Sequence, residues 1–182
     1  MKCFVAAMSI ASLPASSALA GVIDQNQDEN PTFMAAFSQG DLAQSFQQFN
    51  NTITGAGIFL QADVGTSDVV TITLYDALPN AGGSALASGS ATGFEGSWVD
   101  VSWDAVNIAP DTTFFLVFTS ATDTLGIAGS TDNPYDRGQV FANPGFQSFP
   151  TFDYTFRTFA VPAPASVALL GMGGLIVGRR RR

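Results

Sequence analysis

Residues 68–76 read DVVTITLYD, and the spacing of their side chains decides the fold. Val70, Ile72 and Leu74 fall on one side of an extended chain and Thr71, Thr73 and Tyr75 on the other, the period of a strand with one buried face. Residues 112–121, TTFFLVFTSA, keep that period but differ in kind. Phe114, Leu116 and Phe118 oppose Phe115 and Val117, so this strand is apolar on both faces and belongs in the middle of a sheet or beneath a loop.

Working outward, runs rich in Val, Ile, Thr, Phe and Tyr recur at 43–49, 52–61, 85–91, 97–104, 125–130, 138–142 and 151–160. Turn formers separate them, among them Gly65-Thr66-Ser67, Pro79 to Gly83, Ala109-Pro110-Asp111 and Asp132-Asn133-Pro134. Residues 22–30 read as a polar loop, and 32–37 as an edge strand or a helical turn. Eight or nine strands in roughly 120 residues must form two sheets to bury both inner faces, which predicts an all-β, two-sheet antiparallel sandwich of jelly-roll type. In the last run Phe152, Tyr154 and Phe156 are predicted core, with Asp153, Thr155 and Arg157 facing out. Asp153 and Arg157 stand about 13 Å apart along a strand, too far to pair with each other.

The chain has 182 residues, no histidine and one cysteine, Cys3. All 15 acids lie between Asp24 and Asp153 with only Arg137 and Arg157 beside them, a net of −13 for the body. A surface of that sign excludes nucleic acid as a partner, since phosphates need a basic face. Without histidine or a retained thiol, Ser-His-Asp and Cys-His nucleophilic sites and His- or Cys-based zinc sites are closed.

Both ends read as targeting segments. Lys2, the apolar stretch 4–13 and Ala18-Leu19-Ala20 before Gly21 form a signal peptide, residues 1–20, with signal peptidase expected to cut after Ala20. Cys3 leaves with it. The body, a single β-sandwich domain, occupies residues 21–160. Residues 161–182 read VPAPASVALLGMGGLIVGRRRR. Val161, Pro162, Ala163 and Pro164 form a hinge, 165–178 an apolar segment of about 21 Å as a helix, and Arg179, Arg180, Arg181 and Arg182 a membrane stop held on the cytoplasmic side. That helix is short against a hydrocarbon core of roughly 30 Å.

This tail resembles the PEP-CTERM sorting signal of bacterial surface proteins, with Pro162-Ala163-Pro164 standing where the family has Pro-Glu-Pro. The resemblance covers those residues alone. It implies an exosortase-like membrane enzyme as partner, cutting near the proline motif, and an inner-membrane-anchored precursor that passes to the cell surface or outside. The body is similar to the β-sandwich domains attached to such tails, through 96–103, 113–118 and 153–157; this implies a fold and no ligand.

For chemistry within the body, carboxylates remain. Glycan hydrolysis needs two acids flanking a cleft, and no pair is marked among the scattered Asp and Glu. No cofactor is expected apart from calcium, for which Asp24-x-Asn26-x-Asp28 begins like an EF-hand loop but then has Glu29 in place of Gly and Ala35 in place of the bidentate Glu. Asp123, Asp132, Asn133 and Asp136 are a second oxygen-rich group that could hold calcium, but such residues are more often turn formers chosen for their Asx hydrogen bonds. For sugar stacking, Trp98 shares a face with Asp100 and Ser102 and is the candidate exposed ring, whereas Trp103 sits with Val99 and Val101 and is predicted core. Tyr135 and Arg137, in the turn 132–138, are the other candidate ligand-binding residues. The expectation is a secreted or surface-associated, non-enzymatic protein, a structural component either of an extracellular matrix or associated with exopolysaccharide; the alternatives are a carbohydrate-binding module and a carboxylate-based glycan hydrolase.

Overall fold

Short alternating runs cannot satisfy their own backbone N–H and C=O groups, so they pair laterally. The computed structural model describes residues 21–161; the expected signal peptide, 1–20, and the expected sorting tail from Pro162 onward lie outside the described residues. Thirteen strands are present: β1 (Val22–Gln27), β2 (Thr32–Ala36), β3 (Leu42–Gln47), β4 (Thr52–Ala62), β5 (Ser67–Tyr75), β6 (Ala85–Phe94), β7 (Trp98–Asn107), β8 (Thr113–Ser120), β9 (Leu125–Ser130), β10 (Val140–Ala142), β11 (Gln147–Phe149), β12 (Asp153–Tyr154) and β13 (Phe156–Ala160). They form two antiparallel sheets of seven and six strands, packed as a sandwich.

The six-stranded sheet runs β11-β10-β3-β8-β5-β6. The doubly apolar strand β8 is central, between β3 and β5, with Phe114, Leu116 and Phe118 inside and Val117 buried on the opposite face. Val70, Ile72 and Leu74 of β5 face the core, as their alternation predicts. The seven-stranded sheet is built on β4, the longest strand, with β7 along one side. Along its other side β13 pairs with 55–58 and β9 with 60–62, so β9 and the lower half of β4 diverge like a fork. β1 adds outside β13 and β2 outside β9.

Three features differ from the sequence reading. Residues 22–27, read as a loop, form β1: Gln25 and Gln27 turn inward and are buried, a pattern that polarity conceals. Residues 147–149 add the small edge strand β11. The run 151–160 is two strands. β12 climbs along β9, the chain bends at Thr155 in the fork, and β13 descends along β4. The Thr155 N–H donates to Ala128 O (2.9 Å) and its carbonyl accepts from Phe59 N (3.0 Å), bridging both prongs.

That bend corrects the predicted facing. Tyr154 and Phe156 are fully buried as expected and Phe152 is half-buried beside Phe149, but Asp153 and Thr155 are buried too, and only Arg157 of the predicted outward set leaves the core. Trp103, predicted core, packs against the core but is only half-buried, and beyond it the alternation of β7 breaks where the register shifts between Ile53 and Gly55.

Candidate functional site

The interior seam between the sheets is polar. Gln44 of β3 donates through Nε2 to Asp153 Oδ1 (2.9 Å) and accepts at Oε1 from Tyr154 N (2.9 Å), so one amide side chain stands in for a strand neighbour. Asp153 Oδ2 accepts from Tyr135 N (3.1 Å), and the Tyr135 hydroxyl donates to Gln25 Oε1 (2.9 Å) while accepting from Gln47 N (3.3 Å). Burial pushes the Asp153 carboxyl above its ordinary value; the bonds from Gln44 and Tyr135 oppose the rise and nearby Asp136 adds to it. Burial likewise pushes the Tyr135 phenol up to about 12.

Tyr135 is thereby corrected as a stacking candidate. Its ring packs edge-on against Phe156 at 5.0 Å and is 7% exposed, because both ends of the side chain are needed in the seam. Its neighbour Arg137 lies at the surface, bonded to Asp111 and set over the Phe49 ring at 4.2 Å.

Trp98 does face outward, on the seven-stranded sheet, yet its ring is taken. Phe59 meets it edge-on at 5.8 Å and the Arg157 guanidinium lies over it at 4.2 Å. Arg157 also binds Asp100, through Nε to Oδ1 (2.8 Å) and through Nη2 to Oδ2. The two residues reach each other over Gly57 of β4, where a Cβ would meet the Asp100 carboxylate. Trp98, Arg157 and Asp100 therefore form a surface cluster in which the guanidinium already occupies a face of the indole where a sugar would stack.

The acidic candidates are separated or occupied. Asp123 and Asp132 stand at opposite ends of β9, a strand about 20 Å long, so the group Asp123, Asp132, Asn133 and Asp136 is not one loop. Asp123 exchanges bonds with Ser120, and the Asp132 N–H donates to Ser130 Oγ. Asp24 lies in β1 and clamps the β3–β4 turn, accepting from Phe49 N (2.9 Å), Asn50 N (2.8 Å) and Asn50 Nδ2 (2.6 Å). Partial burial raises its pKa, but these bonds together with one from Gln25 bring it below the ordinary value. Among the described residues no group of three or more metal-ligating side chains gathers.

Among the described residues two depressions stand out. An apolar cleft of about 210 Å³ opens between Met34, Val140, Phe149, Phe152 and Tyr154 at one end of the sandwich. The Tyr154 hydroxyl is buried there without a hydrogen-bond partner among the described residues. The second is a polar groove of about 390 Å³ on the outer face of the six-stranded sheet, lined by Ser45, Gln47, Phe115, Arg137, Gln139 and Phe141, with Thr113 and Asp136 at its rim. Of the three predicted ligand-binding residues only Arg137 belongs to it. The signal that could have found it was the second apolar face of β8, where Phe115 points away from the core.

These features define the class: an all-β protein of two packed antiparallel sheets with a polar interior seam. No family model matches the chain, and neither a curated protein nor a solved structure shows detectable similarity to it.

Proposed function

We propose that this chain is an exported, non-enzymatic protein of the bacterial cell surface or extracellular matrix. Its signal peptide carries it to the inner membrane, its tail holds it there, and an exosortase-type enzyme recognises Pro162-Ala163-Pro164 and frees the body. The observation that carries the non-catalytic reading is the use of the candidate reactive groups as structural bonds. Asp153, Tyr135 and Gln44 join the two sheets, Asp24 holds a turn, and Asp100 binds Arg157. Asp136 lines the outer groove without a second carboxylate among its lining residues, so the acid pair that glycan hydrolysis requires is not assembled there.

The strand pairing supports a jelly-roll body. β3 pairs with β10, β4 with β9 and β5 with β8, while β6 contacts β7 across the closing edge, a nested order that a folded-over hairpin generates. The test of the export reading is the intact mass of the protein recovered from native membrane and extracellular fractions. A species beginning at Gly21 and ending within 161–165 is the expected result. A species that keeps Arg179 to Arg182 in every fraction overturns processing.

A further inference from the structure

We propose that the groove on the outer face of the six-stranded sheet binds a neutral glycan chain. Its floor is aromatic. Phe141 of β10 and Phe115 of β8 meet edge to face at 5.7 Å, across the intervening β3. They can do so because β3 places Ala43 opposite Phe141 and Ser45 opposite Phe115, two side chains too small to fill the space between the rings. Tyr75, the cross-strand partner of Phe115 on β5, extends the floor. All three rings are half-buried, held by the sheet and partly open to solvent.

The flanks are uncharged amides held in place. Gln47 donates Nε2 to Thr113 Oγ1 (3.2 Å), and Gln139 donates Nε2 to Ser148 Oγ (2.7 Å). Each bond uses one of the two N–H groups of its amide and leaves the amide oxygen available as an acceptor. Fixed donors and acceptors beside an apolar aromatic floor complement a pyranose ring, which has a C–H face and a rim of hydroxyls. Past Tyr75 the face continues as hydroxyl pairs, Thr73 with Ser88 (2.9 Å) and Thr71 with Ser90 (2.7 Å), so a chain of several sugars meets polar contacts beyond the aromatic floor.

Charge selects the occupant. Arg137, the cation of the groove, is already bonded to Asp111, and Asp136 adds a negative charge beside it. With a body of net charge −13, a polyanion is repelled and a neutral polymer is not. The volume of about 390 Å³ lies within the roughly 300–1,000 Å³ typical of small-molecule sites.

The site deepens the export reading and rests on it for access to extracellular glycan, but binding and processing fail separately. Purified full-length chain is titrated calorimetrically with cellohexaose, laminarihexaose and xylohexaose, and with polygalacturonate as the acidic comparison. Binding of at least one neutral hexasaccharide is expected, weakened at least tenfold by the double variant Gln47→Ala/Gln139→Ala and by Phe115→Ala. Should Phe115→Ala not fold, the amide variant alone decides, its unchanged circular dichroism showing an intact sandwich. Three results overturn the proposal: no neutral probe binding at millimolar concentration, undiminished binding by the amide variant, or preference for polygalacturonate. A chain that binds yet keeps its arginine tail in cells sinks the sorting reading alone; a processed chain that binds no neutral probe sinks this one alone.

Discussion

The two sheets present opposite kinds of outer face. On the seven-stranded sheet, Trp98 has its ring covered by Arg157, and Arg157 has its charge met by Asp100. On the six-stranded sheet, Phe115 and Phe141 are open above and bordered by amides with bonding capacity to spare. The cation decides the difference. Arg157 stands on β13, separated from β7 only by β4, and Gly57 leaves it a clear path; Arg137 stands in a loop and turns toward Asp111 and Phe49 rather than onto the aromatic floor. An outward tryptophan is thus a poor guide to a free stacking surface where an arginine lies within reach across a glycine.

Both faces rest on the seam, and cutting it should abolish the contrast. Gln44→Ala leaves Tyr154 N and one oxygen of Asp153 without their partners in a buried site, so a loss of about 3 kcal/mol is expected. Urea denaturation should show a lowered midpoint with an unchanged slope. A stability within about 0.5 kcal/mol of the parent would mean that the seam is wetter than its burial indicates.

A smaller change should open the closed face alone. Gly57→Ala puts a methyl group where the Asp100 carboxylate lies, displacing it from Arg157 at a cost of about 1–2 kcal/mol. Arg157→Ala removes a largely surface ion pair and a cation–π contact, together about 1 kcal/mol. Its clearer readout is fluorescence: Trp98 gains solvent and the emission should shift to the red, while Trp98→Phe should not respond to the same change. Emission unchanged in Arg157→Ala would show that the guanidinium does not shield the ring in solution.

Much of the sandwich was legible because its strands alternate cleanly. β5 and β8 announce their buried faces in the spacing of Val70, Ile72, Leu74 and Leu116, and the structure places them as read. β1 was not legible, since its inward residues are glutamines two of whose partners, Tyr135 and the carbonyl of Tyr154, come from distant parts of the chain. The bend at Thr155 was hidden for a similar reason: nothing local marks a fork that β4 and β9 create. The candidate site was the least legible part. Trp98 and Tyr135 were singled out by residue type, but one is covered and the other buried. The groove is assembled by register from Phe115, Phe141 and two glutamines that look unremarkable in their own segments.

The smallest expected effect separates the seam from the faces by pH. Asp24 in β1 and Asp68 in β5 each hold a loop, 49–50 in one case and 122 in the other; burial raises both, but hydrogen bonds, from Phe49 and Asn50 in one case and Thr122 and Val69 in the other, bring each pKa below its ordinary value. A lowered folded pKa means the unfolded chain takes protons first, so their stabilisation is present above about pH 4 and disappears as pH falls through the folded values. Asp153 has the opposite sign. Its folded pKa is raised, chiefly by burial, so the native state holds the proton more tightly, and its contribution is fully present below about pH 4 and lost as pH rises through the folded value. Denaturation series across this range should therefore show Asp24→Asn with a flatter acid limb and Asp153→Asn with a flatter decline above about pH 4. The slope rather than the offset is diagnostic, because an asparagine at 153 turns an N–H toward a donor already present whichever way its amide is set. Parallel slopes for Asp153→Asn and the parent would mean that the carboxyl is ionised across the range despite its burial, held so by Gln44 and the Tyr135 N–H.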